Sequence, residues 1–110
     1  MMEASMRKIP IRYQEFKKQY SRIASAYENL AGECRESGPL SERERSLVKL
    51  GIAAGSHTEG SVHSQVRKAL DAGLKPDEIR HAILVGLTAI GFPRMMAAMT
   101  WAEDILNSEG

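Results

Sequence analysis

The chain has 110 residues, 43% of them hydrophobic and 26% charged, with 15 Lys and Arg against 14 Asp and Glu for a formal charge of +1. That is the balance of a globular protein, at a size that supports one core and therefore a single domain over residues 1–110. A near-neutral chain without a long Lys/Arg block lacks the concentrated basic face that phosphate neutralisation needs, so nucleic acid is not an expected partner.

The N-terminal stretch Met1 to Phe16 carries charges every few residues and no apolar segment, and no run anywhere approaches the roughly twenty apolar residues of a membrane-spanning helix. With a single cysteine, Cys34, which excludes an intrachain disulfide, the expectation is a cytoplasmic protein with no membrane partner. From Tyr13 the apolar residues Phe16, Tyr20, Ile23, Tyr27 and Leu30 follow at alternating spacings of three and four. This pattern predicts one long helix with a continuous stripe, forming a helical arm over about residues 10–35. A stripe of this kind is a packing seam more readily than a ligand platform. Gly38 and Pro39 stop it.

Ser41-Glu42-Arg43-Glu44 has the spacing of a capping box and predicts the start of a second helix, running through Leu47, Val48, Leu50, Ile52 and Ala54 until Gly55. Ser56-His57-Thr58-Glu59 repeats the pattern and predicts a third helix through Val62, Val66, Ala69 and Leu70, with Gly73 as its terminating residue. Pro76, with Asp77 and Glu78 beside the positive end of the helix dipole, opens a fourth, strongly apolar helix reaching Ile90. Gly91-Phe92-Pro93 interrupts the pattern, and a fifth helix from Pro93 carries Met95, Met96, Met99, Trp101, Ile105 and Leu106. No segment alternates like a strand, so the fold class is all-α. The apolar surface left over by five short amphipathic helices predicts an obligate oligomer.

The runs LSERERSLVKLGIAAG (Leu40–Gly55) and VRKALDAGLKPDEI (Val66–Ile79), followed by ILVGL (Ile83–Leu87) and Gly91-Phe92-Pro93, closely resemble the carboxymuconolactone decarboxylase family, which includes the alkylhydroperoxidase D-like proteins. The resemblance spans about residues 40–107. It implies a bundle of five to six helices assembled into a homotrimer or homohexamer, with an active site near the start of the third predicted helix and no cofactor. In the peroxidase branch the resemblance implies a Glu on the second helix, a Cys-x-x-Cys pair opening the third, and a His one turn further on. Aligned on Ala72-Gly73, those positions fall here on Ser46, on Thr58 and Ser61, and on Gln65.

A hydroxyl of ordinary acidity does not replace a thiolate as a peroxide nucleophile, and Gln65 neither takes nor gives a proton. Thiol peroxidase chemistry is therefore not expected, and the missing His weakens a lactone decarboxylase by the family's route as well. The residues near the family position that can still move a proton are His63 and Glu59, four apart on one helical face. Two His and one carboxylate, counting His57, are ligand types of open metal sites, but His57 projects away from the other two on a regular helix, and no metal site is expected. Thr58, Ser61 and Gln65 form a polar line expected on a buried face, there either satisfying one another or lining a small cavity. Cys34 stands outside the motif, and His81 has no partner visible in the sequence. Two functions stay open: an enzyme or binding protein for a small organic acid or lactone, and a catalytically silent oligomeric scaffold of the same fold.

Overall fold

The computed structural model describes residues 10–109, so the stretch Met1 to Phe16 and the outer limits of the 1–110 domain fall partly outside the described residues. The described residues form seven helices and no strand. Two compact units divide at Leu40 and Ser41 and are taken separately.

In the first unit, α1 spans Ile11–Gln19 and α2 spans Ser21–Glu36. This corrects the expectation of one continuous helix. Tyr20 leaves helical geometry at φ −126°, ψ 57°, and the chain folds back. Tyr13 Oη donates to Glu28 at 3.4 Å and Lys17 Nζ pairs with the same carboxylate at 3.2 Å. On an unbroken helix, residues 13 and 28 would lie about 22 Å apart. The three-four spacing survives a one-residue break, which is why periodicity alone does not reveal it. Among the described residues of this unit only Ala24 is buried, and Ile23, Tyr27 and Leu30 stay open.

The second unit contains α3 (Glu42–Ser56), α4 (Glu59–Asp71), α5 (Pro76–Val85), α6 (Leu87–Ile90) and α7 (Phe92–Glu109). Its core gathers the inward stripes of these helices: Leu50 from α3, Val62, Val66 and Ala69 from α4, Ile79 and Ile83 from α5, and Met95, Ala98, Ala102 and Leu106 from α7. Ala98 and Ala102, one turn apart and fully buried, leave room for α4 to lie close against α7. None of the described helices is long and apolar enough to cross a membrane.

The first capping box forms as the spacing predicts. Glu44 N–H donates to Ser41 Oγ at 3.1 Å, and Ser41 N–H donates to the Glu44 carboxylate at 2.8 Å. The Ser41 N–H foremost, and then the Ser41 hydroxyl, hold the Glu44 carboxyl below the usual glutamate range. Ser41→Ala is expected to cost about 0.5–2 kcal/mol through loss of the cap hydroxyl, read as a lower urea midpoint at unchanged slope.

Elsewhere helix ends shift. Gly55 does not end α3, which continues through Ser56 and stops where His57 turns left-handed at φ 58°. The second capping box does not form: Ser56, still inside α3, donates its hydroxyl to the Ala53 carbonyl at 2.8 Å, leaving Thr58 as an N-cap whose side chain makes no capping bond and Glu59 as the first residue of α4. The fourth predicted helix divides at Gly86 into α5 and α6. Both Ala89 and Ile90 donate to the Gly86 carbonyl at 2.8 Å, and a Cβ at position 86 would stand 3.1 Å from the Ile83 oxygen, a close contact that would require this carbonyl to give by a few tenths of an ångström. Gly91, at φ 92°, closes α6 and lets α7 begin at Phe92, with Pro93 in its first turn.

Candidate functional site

The two residues between α3 and α4 orient the site. His57 tolerates its left-handed backbone better than a β-branched residue would, and its ring lies against Trp101 of α7 with centroids 5.4 Å apart. Thr58 is extended, and its hydroxyl donates to the Ser56 carbonyl at 3.2 Å. Glu59 then begins α4 and, one turn on, His63 reaches across to α7. His63 Nε2 is 2.9 Å from Asp104 Oδ2 and 3.8 Å from Glu59 Oε2. The imidazole is about four-fifths covered, while both carboxylates are half open. One nitrogen thus faces two acids, bonded to the nearer of them.

α7 is held in register beside this cluster by the residue next to Asp104. Arg80 of α5 grips Glu103 with both arms of its guanidinium, at 2.7 and 3.1 Å, and also bonds Asp77 at 3.0 Å. The bond from Arg80 holds the Glu103 carboxyl below the usual range, and the Arg80 guanidinium is correspondingly harder to deprotonate. A carboxyl lowered in the folded state stabilises the fold at pH above its unfolded value of about 4.5 and loses that effect as pH falls. The brace is therefore intact at neutral pH.

The other sequence-predicted positions divide. Thr58 and Ser61 are exposed, and Gln65 and Ser46 are half-buried. The polar line is thus not on the buried face, because Ser61 and Gln65 each precede a core residue, Val62 and Val66, and one residue turns a helix by about 100°. Among the described residues no hydrogen bond joins Ser46, Ser61 or Gln65 to His63. His63 and Gln65, two residues apart, leave α4 on roughly opposite sides. His57, as expected, is directed elsewhere, to Trp101.

Asp104 is not legible in the sequence as a member of this cluster. Its pairing with His63 spans 41 residues and depends on α4 packing against α7, and the only sequence signal is an acid on the polar side of an amphipathic helix.

A separate groove of about 610 Å³ runs between α3 and α5–α6. Leu47, Val48, Gly51, Ala82, Val85 and Ile90 form its apolar walls. Its polar members are His81 and the Arg43–Glu78 pair, the latter joined at 2.7 Å, and the bonds from Lys75 N–H and then Arg43 hold Glu78 below the usual carboxyl range. His63, Glu59 and Asp104 do not line this groove.

The sequence pattern of the carboxymuconolactone decarboxylase family matches residues 22–104, from the first turn of α2 almost to the end of α7. The chain belongs to this family. No curated protein and no solved structure matches it. The all-helical fold agrees with the family's bundle, and membership places the chain among decarboxylase- and alkylhydroperoxidase-related proteins. Within that frame the nearest polar clusters to the start of α4 are the His63–Asp104–Glu59 group and the His57–Trp101 pair. Neither uses a thiol, and Cys34 lies exposed on α2.

Proposed function

We propose that this carboxymuconolactone decarboxylase family protein binds and acts on a small organic acid or lactone by proton transfer at His63, with no thiol chemistry. What supports the proposal most is the 2.9 Å contact between His63 Nε2 and Asp104. With Nε2–H donated to Asp104, the ring's lone pair stands at Nδ1, and the carboxylate stabilises the imidazolium formed when Nδ1 takes a proton. Glu59, one turn earlier, adds a second negative charge to the same cation. Such a base can remove a proton next to a carbonyl, or return one to the carbon left after carbon dioxide departs. Thr58, in the connection before α4, is the group assigned to ligand oxygens. Ser61 and Gln65, on the side of α4 away from His63, together with His57 against Trp101 and Ser46 on α3, are assigned as polar remnants of the family site.

The direct test is turnover of a set of small lactones and organic acids beside an organic hydroperoxide supplied with a dithiol. Activity on the first group and none on the second is expected. A robust dithiol-dependent peroxidase activity would overturn the proposal.

The chain is further proposed to self-associate as a trimer or hexamer, as a single domain in which the family match already takes in α2 of the helical arm. Ile52 and Val85 on the second unit are 66% and 62% exposed, and Tyr27 on the first is 63% exposed, more apolar surface than a small monomer ordinarily leaves in water. Light scattering is expected to give a trimer or hexamer; a monomer whose mass does not change with concentration contradicts this.

A catalytically silent scaffold is the second reading. It is favoured by one observation: the 610 Å³ groove has mainly apolar walls and is lined by none of the proton-transferring residues of the α4–α7 cluster.

A further inference from the structure

Two carboxylates converging on a single imidazole nitrogen is an arrangement that one proton does not satisfy. Nε2–H makes one good hydrogen bond, to Asp104, and at 3.8 Å Glu59 Oε2 lies outside hydrogen-bonding distance. With the ring neutral, the cluster carries two negative charges and holds three candidate ligand atoms within 4.8 Å of one another. We infer that Glu59, His63 and Asp104 form a binding site for a divalent cation of the zinc class.

The distances fit that ion. Zinc takes imidazole nitrogen and carboxylate oxygen at about 2.0–2.2 Å, which sets the ligand atoms of a tetrahedral site roughly 3.4 Å apart. The observed 2.9 and 3.8 Å lie on either side of that spacing, so a side-chain shift of about half an ångström brings each to it, and the two carboxylate oxygens, within 4.8 Å of one another, have to close to the same spacing. The ligand types fit as well: one borderline nitrogen and two hard oxygens give a neutral complex with a 2+ ion. Backbone placement is already made, because Glu59 and His63 share one face of α4 at i and i+4, and the Arg80–Glu103 fork fixes the neighbouring turn of α7 that carries Asp104. Three protein ligands leave the fourth position to water or to a ligand carboxylate.

Two consequences follow for the molecule. The ion bridges α4 to α7 and raises the stability of the folded chain, as any ligand restricted to the folded state does. It also occupies Nε2 and moves the ring proton to Nδ1, which removes the lone pair required for proton transfer. Metal and turnover are therefore antagonists at His63. The inference goes beyond the proposed function and does not depend on it.

The test is titration of Zn²⁺ into the purified full-length protein in competition with a chromophoric chelator. One ion per chain in the micromolar range is expected, with a rise in melting temperature. His63→Gln and Asp104→Asn are each expected to weaken binding by at least about tenfold, and His81→Gln is expected to bind like the wild type. Circular dichroism confirms that each variant is folded, and the two independent ligand variants keep the test decisive if one of them is not. Failure of the wild type to compete for zinc overturns the inference, as does undiminished binding by either folded ligand variant. Zinc binding together with no turnover of any acid or lactone by the metal-free protein upholds the site and sinks the proton-transfer proposal; turnover by the metal-free protein that depends on His63, without zinc binding, does the reverse.

Discussion

Leu50→Ala is expected to lower the unfolding free energy by about 2–5 kcal/mol, measured by urea denaturation at a fixed protein concentration. Leu50 is fully buried at the centre of the core that α3 shares with Val62 and Val66 of α4 and Ile79 and Ile83 of α5. Alanine removes three carbons from a site whose neighbours belong to different helices and cannot all collapse into the space, so the loss includes a cavity as well as a transfer cost. Lys49→Ala, one residue earlier and exposed, is the control and is expected to stay within about 0.5 kcal/mol. Equal small effects at both positions would mean that the helices do not close around Leu50. Because the proposed self-association would add stability that depends on concentration, all three proteins are compared at the same one.

What the sequence disclosed about this fold, and what it hid, follows from how far each signal reaches. Ser41 and Glu44 are three residues apart, and their capping box is a local event that nothing distant opposes. Ser56 and Glu59 have the same spacing, yet α3 keeps Ser56 inside its last turn and the left-handed His57 uses up the connection. Two equivalent patterns thus had different outcomes, decided by where the preceding helix ended. The hairpin break at Tyr20 and the turn at Gly86 are single-residue events, and neither disturbs the apolar spacing by which a helix is recognised. At the candidate site, the Glu59–His63 pairing was legible because it lies within one helix. Asp104 was not, since no rule of spacing joins α4 to α7. The expected burial of Ser61 and Gln65 failed through a rotation of one residue around α4, enough to move a side chain from the core to its border.

His63→Gln is expected to reduce kcat/KM for the turnover of a small acid or lactone by about a hundredfold or more, the scale of a lost general acid–base. Glutamine keeps much of the volume and a hydrogen-bond donor within reach of Asp104, so the fold of α4 against α7 is retained while the group that changes protonation is gone. Asp104→Asn is expected to have a smaller effect, because the base remains but its orientation and its charge partner are weakened.

The central claim is that proton transfer at His63, and not a thiol, carries the chemistry of this family member. The most direct measurement is kcat/KM of His63→Gln beside Cys34→Ala, each at equal folded fraction and equal oligomeric state. The expected result is a loss of about a hundredfold or more at position 63 with wild-type turnover at position 34. Retained activity in His63→Gln together with its loss in Cys34→Ala would contradict the account.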